Sequence, residues 1–198
     1  VNGLGGREFF KESLMDNLVI DNNYWGVPFD ITPLHMEYRK DLFESKGFGK
    51  PLTWDEQIKA TSALTEDLDG DGSTDRYGIA LPYGRTYALA VFFLSILWSN
   101  GGYVMGENGK DVVFNSKECH QALEFMKDMY PNNPPGASSY SWGELMGTYS
   151  TGRVAETEFS CMVPLARAAE QENDEVVQGT DVAPIPTRTP EQEAIARY

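Results

Sequence analysis

Short apolar runs alternate with amphipathic stretches along most of this 198-residue chain. The clearest amphipathic stretch follows Asn115 or Ser116 and ends at Pro131, which cannot continue a helix. One stripe within it recurs at spacings of three and four: Cys119, Ala122, Leu123, Met126, Met129 and Tyr130. Such a stripe is typical of a helix packed on a core. Strands that alternate with helices predict an α/β fold, with a mixed sheet flanked by helices.

The same patterns predict the remaining elements. Strands are predicted at residues 24–29, 34–38, 78–81, 111–114, 154–159 and 181–185. Helices are predicted at residues 8–15, 40–45, 53–66, 86–100, 142–149 and 163–172. Thr53 and Glu56 have the spacing of a capping box, in which each side chain bonds the backbone of the other. Trp54 and Trp142 lie inside predicted helices and are expected to be packing residues.

An excess of acidic residues sets the charge of the chain. Thirty Asp and Glu against sixteen Lys and Arg give a net charge of -14 at pH 7. This charge repels phosphate backbones and anionic membrane surfaces, so no nucleic-acid partner is expected. The longest apolar run, residues 88–98, is shorter than the ~20 residues of a membrane-spanning helix and predicts a core helix. Any export signal or membrane anchor is therefore expected outside this chain.

No constellation of residues points to catalysis. His35 and His120 are isolated, and the G-x-S-x-G, H-E-x-x-H and phosphate-binding glycine motifs are absent from the sequence. Carboxylate pairs carry little weight in so acidic a chain. Cys119 and Cys161 lack metal-ligand spacing; two buried free thiols are expected, with one disulfide as the alternative. The chain is predicted not to be an enzyme.

The sharpest local motif is the acidic loop, which we define as residues 67–75. It has the oxygen spacing of an EF-hand at Asp67, Asp69, Asp71, Ser73 and Asp75. Bunched carboxylates repel one another unless a cation neutralises them, so the loop predicts a structural Ca²⁺ ion. The glutamate expected at the twelfth position is replaced by glycine, so water or another carboxylate would have to complete the site. The alternative is a polar turn without an ion.

Several segments resemble a known family when they are taken in order. They are residues 24–28 (YWGVP), 37–43 (EYRKDLF), 52–56 (LTWDE), 100–102 (NGG), 115–130 and 152–155 (GRVA). Each motif alone is weak, but together they cover nearly the whole chain. The chain therefore resembles the family 1 extracellular solute-binding proteins, the group that includes the maltose-binding protein.

The resemblance implies one lobe of a two-lobe periplasmic-binding-protein-like fold, in which two α/β lobes close on a ligand. Residues 1–23 are expected to end the first-lobe chain and cross over. Residues 24–186 are expected to form the second, C-terminal lobe. Residues 187–198 are expected to return toward the first lobe.

The resemblance also implies a function. The chain would belong to the substrate-binding component of an ABC transporter, which captures a sugar or oligosaccharide by hinge closure and delivers it to permease subunits. It would be periplasmic or extracellular, lipid-anchored at the cell surface, and would require no cofactor. The acidic loop and the acidic surface keep one alternative open, a calcium-dependent extracellular interaction or adhesion module.

Candidate ligand contacts follow from the same resemblance. Tyr83 stands after a proline at the end of the predicted strand 78–81, where the family carries a ligand-stacking tyrosine. Met162 stands where the family carries a stacking tryptophan, so Phe159 would substitute for it or the subsite would be lost. Asp30 and Arg85 are expected to bond ligand hydroxyls from the cleft wall, with surface or ion-pair roles as the alternative.

Overall fold

The computed structural model describes residues 9, 10, 12–30, 32–160 and 162–192. The chain divides into two compact units, the first ending at Thr32 and the second beginning at Pro33. In chain order the elements are α1 (Glu12–Met15), β1 (Val19–Ile20), β2 (Asn23–Tyr24), β3 (Leu34–Arg39), α2 (Lys40–Ser45), α3 (Trp54–Ala63), α4 (Tyr87–Ser99), α5 (Lys117–Met129), α6 (Trp142–Ser150), β4 (Glu156–Ser160), α7 (Val163–Glu170), α8 (Asp174–Gly179) and β5 (Thr180–Ala183).

The first unit contains α1 and a small antiparallel hairpin of β1 and β2. Asp21 and Asn22 join the two strands with φ values of 50° and 59°. A two-residue hairpin turn needs positive φ at both positions, which Asp and Asn tolerate better than most residues. The strand predicted at 24–29 is wrong beyond Tyr24, because the following residues pair with no described strand. Phe29 is fully exposed there.

The second unit contains a three-stranded antiparallel sheet with β3 at its centre. β4 pairs with one edge of β3 and β5 with the other. Met36 stands opposite Glu158 of β4 and opposite Ala183 of β5. The strands predicted near residues 34, 156 and 181 are confirmed with shifted ends.

Two predicted strands form only isolated bridges. Tyr77 and Ala80 each make one parallel bridge, to Val154 and Thr157. Residues 78–81 are buried, as expected, but they do not form a continuous ladder. Residues 111–114 make one bridge, between Val112 and Met105, and are exposed.

From α2 onward, the predicted helices begin and end close to their predicted positions. Of the helix predicted at 8–15, the structure has α1 at Glu12–Met15, and residues 8 and 11 lie outside the described residues. The capping box before α3 is present: the Thr53 hydroxyl accepts from the Glu56 amide at 3.4 Å, and the Glu56 carboxylate accepts from the Thr53 amide at 3.1 Å. This helix ends at Ala63, three residues before its predicted end. Ser116 caps α5 by accepting from the Cys119 amide at 3.2 Å. α8, which begins after its cap Asn173, was not predicted.

The core of the second unit consists of three apolar clusters. The first surrounds Tyr149 and Phe159, and the second lies among α3, α4 and α5. The third packs β3 against α2 and α3. Cys119 is a buried free thiol, whereas Cys161 lies outside the described residues. No helix in the described part of the chain is both long and apolar enough to cross a bilayer.

The apolar stripe of α5 is only partly in the core. Ala122, Met126 and Met129 are buried as predicted, but Leu123 and Tyr130 are about half exposed. At 3.6 residues per turn the six positions spread over about 120° of the helix surface, and Leu123 and Tyr130 lie together at the edge that leaves the buried face. This exposed edge forms one wall of a surface pocket.

Candidate functional site

An apolar pocket of about 530 Å³ opens between α4 and α5. Its size lies within the roughly 300–1,000 Å³ of typical ligand sites. It is lined by Tyr83, Leu89, Phe93, Phe114, Leu123, Met126, Lys127 and Tyr130. Aromatic rings supply much of this surface, and Lys127 supplies a positive charge. The pocket can therefore pack against apolar faces of a ligand and offers few hydrogen-bonding groups to it.

Tyr83 is the predicted site residue that lines this pocket. Its hydroxyl donates a hydrogen bond of 2.6 Å to the Met126 carbonyl oxygen. Its ring packs edge-on against Tyr130, with 4.9 Å between centroids. Burial raises the pKa of Tyr83, and the neighbouring Tyr130 and Glu158 raise it further. The phenol therefore stays neutral and fixed, so only its ring is free to contact a ligand.

The backbone around Tyr83 is held by a close approach between two loops. The Tyr83 amide donates to the Ala137 carbonyl oxygen at 3.1 Å. At Gly84 a Cβ atom would lie 2.7 Å from the Tyr140 carbonyl oxygen. Any larger residue would push the two loops apart. Glycine at this position thus allows the chain that carries Tyr83 to lie against the backbone of Ser139 and Tyr140.

Phe159 lies in the core and offers little surface. It is 6% exposed and packs edge-on against Trp142, with 5.1 Å between ring centroids. Trp142 itself is partly buried, whereas Trp54 is buried and stacked on Phe125 at 4.5 Å. Both tryptophans pack against other aromatic residues, as expected. A ligand could reach the Phe159 ring only if its neighbours moved.

The remaining candidate residues are exposed. Met162 is left-handed at φ 51° and precedes the first turn of α7. Arg85 is exposed two residues after Tyr83. Asp30 belongs to the first unit and accepts a hydrogen bond of 2.9 Å from the Thr32 hydroxyl. Within the second unit, Tyr83 packs against the cluster that contains Phe159, so these two predicted residues share one apolar cluster.

Three aromatic residues of the pocket were not singled out from the sequence. Phe93 comes from α4, Phe114 from the bridge region and Tyr130 from the end of α5. Phe93 and Phe114 also pack edge-on against each other at 5.8 Å. The available signal was that α4 is apolar on nearly every side, which indicates a helix covered on more than one face.

The acidic loop is folded around its own carboxylates. Asp67 accepts hydrogen bonds from the amides of Gly70 and Gly72 at 2.7 and 2.8 Å. These bonds, led by that from Gly72, lower the pKa of Asp67. One oxygen each of Asp67, Asp69 and Asp71 lies within 4.8 Å of the others. These oxygens are near enough to one another to share a cation.

The other two predicted ligands differ in position. The Ser73 amide donates to Asp71 at 2.7 Å, whereas Asp75 accepts from the Leu68 amide at 2.7 Å and closes the loop. Glu66 fixes the base of the loop through ion pairs with Lys46 and Arg76.

The twelfth position of the calcium motif is Gly78, and the structure explains the missing glutamate. A Cβ atom at Gly78 would lie 1.9 Å from the Thr61 carbonyl oxygen. Real Cβ atoms do not approach a backbone so closely, so no side chain fits here. A twelfth-position carboxylate is therefore incompatible with the packing of this segment on α3.

Curated relatives include a bacterial binding protein and a bacterial lipoprotein. A binding protein of Brucella abortus is 28% identical over 148 residues, which cover 73% of this chain and 34% of that protein. Lipoprotein LipO of Bacillus subtilis is 29% identical over 125 residues, which cover 60% of this chain and 25% of LipO. The chain thus spans about a third or less of the length of these relatives.

Solved structures show the same fold. Maltose-bound MalE3 of T. maritima is 26% identical with a TM-score of 0.76, covering 93% of this chain and 46% of MalE3. An ABC transporter solute-binding protein of Agrobacterium vitis with bound D-mannitol is 26% identical with a TM-score of 0.71, covering 88% of this chain and 41% of that one. The resemblance to a partial two-lobe binding protein is confirmed.

A family model for the bacterial extracellular solute-binding proteins matches residues 6–191. The match includes both units and all the described helices and strands. Members of this family bind solutes and are not enzymes, and they generally need no cofactor. The chain belongs to the family of bacterial extracellular solute-binding proteins.

Proposed function

We propose that this chain forms one lobe of the solute-binding component of an ABC importer and supplies one wall of a sugar or polyol cleft. The observation that carries the proposal is the family match together with its structural neighbours, which hold maltose and D-mannitol. Residues 24–186 would form the lobe, with 1–23 and 187–198 leading to and from the other lobe. Closure of the two lobes on the ligand would be the functional motion.

Tyr83 is the proposed centre of this wall. Its ring lines the aromatic pocket and its hydroxyl is already bonded to the protein. An aromatic ring fixed in this way can pack on the apolar face of a sugar ring at little entropic cost. Met162 is proposed to border the same wall, and Arg85 is proposed to bond ligand hydroxyls. Because Phe159 is buried, the stacking subsite that it would supply is proposed to be lost.

Ligand binding by the complete protein tests this function. Thermal unfolding is measured against a panel of neutral monosaccharides, oligosaccharides and polyols, with amino acids as the matched control. A ligand that binds only the folded state raises the midpoint. A rise with one class of sugar or polyol is expected, and confirmation by calorimetry should follow. Unchanged midpoints across all carbohydrates would contradict the proposal.

The location and partners of the whole protein are further proposals. The family is extracellular or periplasmic, and one relative is a lipoprotein. We therefore propose export, a lipid anchor that lies outside this chain, and delivery of ligand to permease subunits. Protease digestion of intact cells would release or degrade the protein if it lies at the surface.

A structural Ca²⁺ ion in the acidic loop is proposed as a separate, local feature. The convergence of Asp67, Asp69 and Asp71 supports it. Their oxygens are the ligand type that Ca²⁺ prefers, although further ligands would be needed to reach six. The relatives give no support to a calcium-dependent adhesion module. The ion would stabilise the loop and take no part in solute binding.

A further inference from the structure

Two glutamates lie inside the second unit, on strand β4. Glu156 and Glu158 are 0% and 1% exposed. They alternate along the strand, so both point to the same face of the sheet. Across the ladder they stand opposite Tyr38 and Met36, which belong to an apolar cluster. A carboxylate in such a place costs free energy unless its charge is compensated or removed.

A single amide serves both carboxyl groups. Nε2 of Gln57, on α3, donates hydrogen bonds to Oε1 of Glu156 and, at 3.1 Å, to Oε1 of Glu158. The second oxygen of each carboxyl group is buried without a hydrogen-bond partner, and so is Oε1 of Gln57. Two ionised groups would thus share one donor while three acceptor oxygens remain unpaired. A proton on one of the carboxyl groups would give the unpaired oxygens a hydrogen-bond donor.

Cations do not compensate the pair. Within the described ranges, neither glutamate forms an ion pair with a lysine, arginine or histidine. Tyr38 faces Glu156 across the ladder. Burial raises the pKa values of Tyr83 and Tyr149, and the nearby glutamates contribute to both increases. These tyrosines near the pair are therefore neutral phenols.

The charged residues of β3 project to its other face, because side chains alternate along a strand. Glu37 accepts from the Leu165 amide and has His35 Nε2 at 3.3 Å. Arg39 is paired with Asp41 and Glu175. The guanidinium group of Arg39 is thus paired with carboxylates other than those of Glu156 and Glu158.

We propose that Glu156 and Glu158 form a proton-holding pair, whose contribution to the stability of the second unit is greatest at acidic pH and is lost as the pH rises through neutrality. A protonated carboxyl group loses its charge and gains a hydrogen-bond donor, which removes both costs described above. Burial raises the pKa of Glu158 to about 8 and raises that of Glu156 well above its usual range, against the opposing hydrogen bonds from Gln57.

The sign of the pH dependence follows from these pKa values. A carboxyl group whose pKa is raised by folding holds its proton more tightly in the folded state. Its stabilising contribution is complete below the unfolded pKa, near 4.5, and is lost as the pH rises through the folded pKa, near 8 for Glu158.

Denaturant unfolding of the complete protein between about pH 5 and about pH 9 tests the pair. The folding equilibrium constant should fall by up to about tenfold per pH unit for each proton released. The double variant E156Q/E158Q should lose this part of the pH dependence, because glutamine resembles a protonated carboxyl group and cannot ionise. Glu124→Gln, on the exposed face of α5, is the matched control and should keep it.

Infrared spectroscopy supplies a second readout that does not require the double variant to fold. The unaltered protein at neutral pH should show the carbonyl stretch of a protonated carboxyl group, and this band should disappear as the pH rises. A spectrum at neutral pH that shows ionised carboxylates and no protonated carboxyl group would overturn the proposal. Equal pH dependence of stability in the unaltered protein and in the double variant would also overturn it. The same holds for a stability that depends on the alkali-cation concentration and not on the pH.

Discussion

At the level of single residues, Tyr83 is held in place by both its ring and its hydroxyl. Its ring packs against two of the three apolar clusters, and its hydroxyl is bonded to the Met126 carbonyl oxygen. The ring therefore has one conformation before any ligand arrives. A ligand that packs on it does not have to order it first.

Replacement of Tyr83 by alanine should weaken sugar binding by the complete protein by roughly 1–3 kcal/mol, because a packing face and its buried area are lost together. Calorimetry with the sugar found in the panel is the measurement. Tyr83→Phe is the matched control and should keep most of the affinity, since the hydroxyl is occupied within the protein. Tyr83→Ala also removes core contacts, so binding must be measured well below its unfolding midpoint. Equal affinity of all three proteins would place Tyr83 outside the cleft.

Gly78 provides a test of packing at a single atom. Gly78→Ala would place a Cβ atom 1.9 Å from the Thr61 carbonyl oxygen, and the required backbone shift should cost about 1–3 kcal/mol of unfolding free energy. Gly143→Ala in α6 meets no atom within 4 Å and should change stability by less than about 1 kcal/mol in the favourable direction. Urea unfolding of both variants measures the difference. Similar values would show that residue 78 can move away from α3.

At the level of elements, the acidic loop is a turn closed by its own side chains and fixed at its base by Glu66. Asp67 organises the backbone through two amides, whereas Asp69 bonds one amide, that of Asp71, at 3.1 Å. Substitution of Asp69 should therefore disturb an ion more than it disturbs the turn.

Calcium should raise the thermal midpoint of the protein, and a chelator should reverse the effect. At a free concentration near 100 times the dissociation constant the gain would be about 2.7 kcal/mol. Asp69→Ala should abolish this gain, and Asp128→Ala on the exposed side of α5 should preserve it. Calorimetric scans with and without the ion are the measurement. A midpoint indifferent to calcium would leave the loop as a simple turn.

The helices were predictable from sequence because their signals are local. The caps at Thr53 and Ser116 and the stop at Pro131 act within a few residues of the helix ends. Strands depend on partners far away in the sequence, so the apolar runs at 25–29 and 111–114 gave wrong strands. No local sequence pattern indicated the burial of Glu156 and Glu158 either.

The candidate site was predictable only in part. The resemblance singled out Tyr83, which lines the pocket. Phe93, Phe114 and Tyr130 come from separate elements and reach the same pocket only through tertiary packing. The helical spacing of the apolar stripe predicts Tyr130 as a core residue, because it matches the spacing of the buried positions. Spacing defines the side of a helix, and the edge of that side can still be exposed.

At the level of the whole molecule, the proposed function gives this chain one wall of a cleft. Relatives of the same fold are about twice its length. A ligand held between two lobes gains contacts from both, whereas its loss of translational and rotational freedom is nearly the same with one.

The isolated chain of 198 residues should therefore bind sugar more weakly than about 1 mM, even if the complete protein binds near 1 μM, which corresponds to about 8 kcal/mol. Calorimetry on both proteins with the same sugar is the measurement. Self-association of the isolated chain through its exposed apolar surface is also expected, and sedimentation would detect it. Micromolar binding by the isolated chain would mean that the whole site lies within it.

The central position of β3 has a consequence for the order in which the protein acquires its structure. Both strands that flank β3 lie roughly 120 or more residues further along the chain. Contacts of such long separation close slowly, because the intervening chain must first lose much of its freedom. During synthesis β3 therefore has no strand to pair with until nearly the whole lobe has emerged from the ribosome. Helix α3, which lies against β3 in the third apolar cluster, can form in the meantime and so can cover the sheet when its last strand arrives.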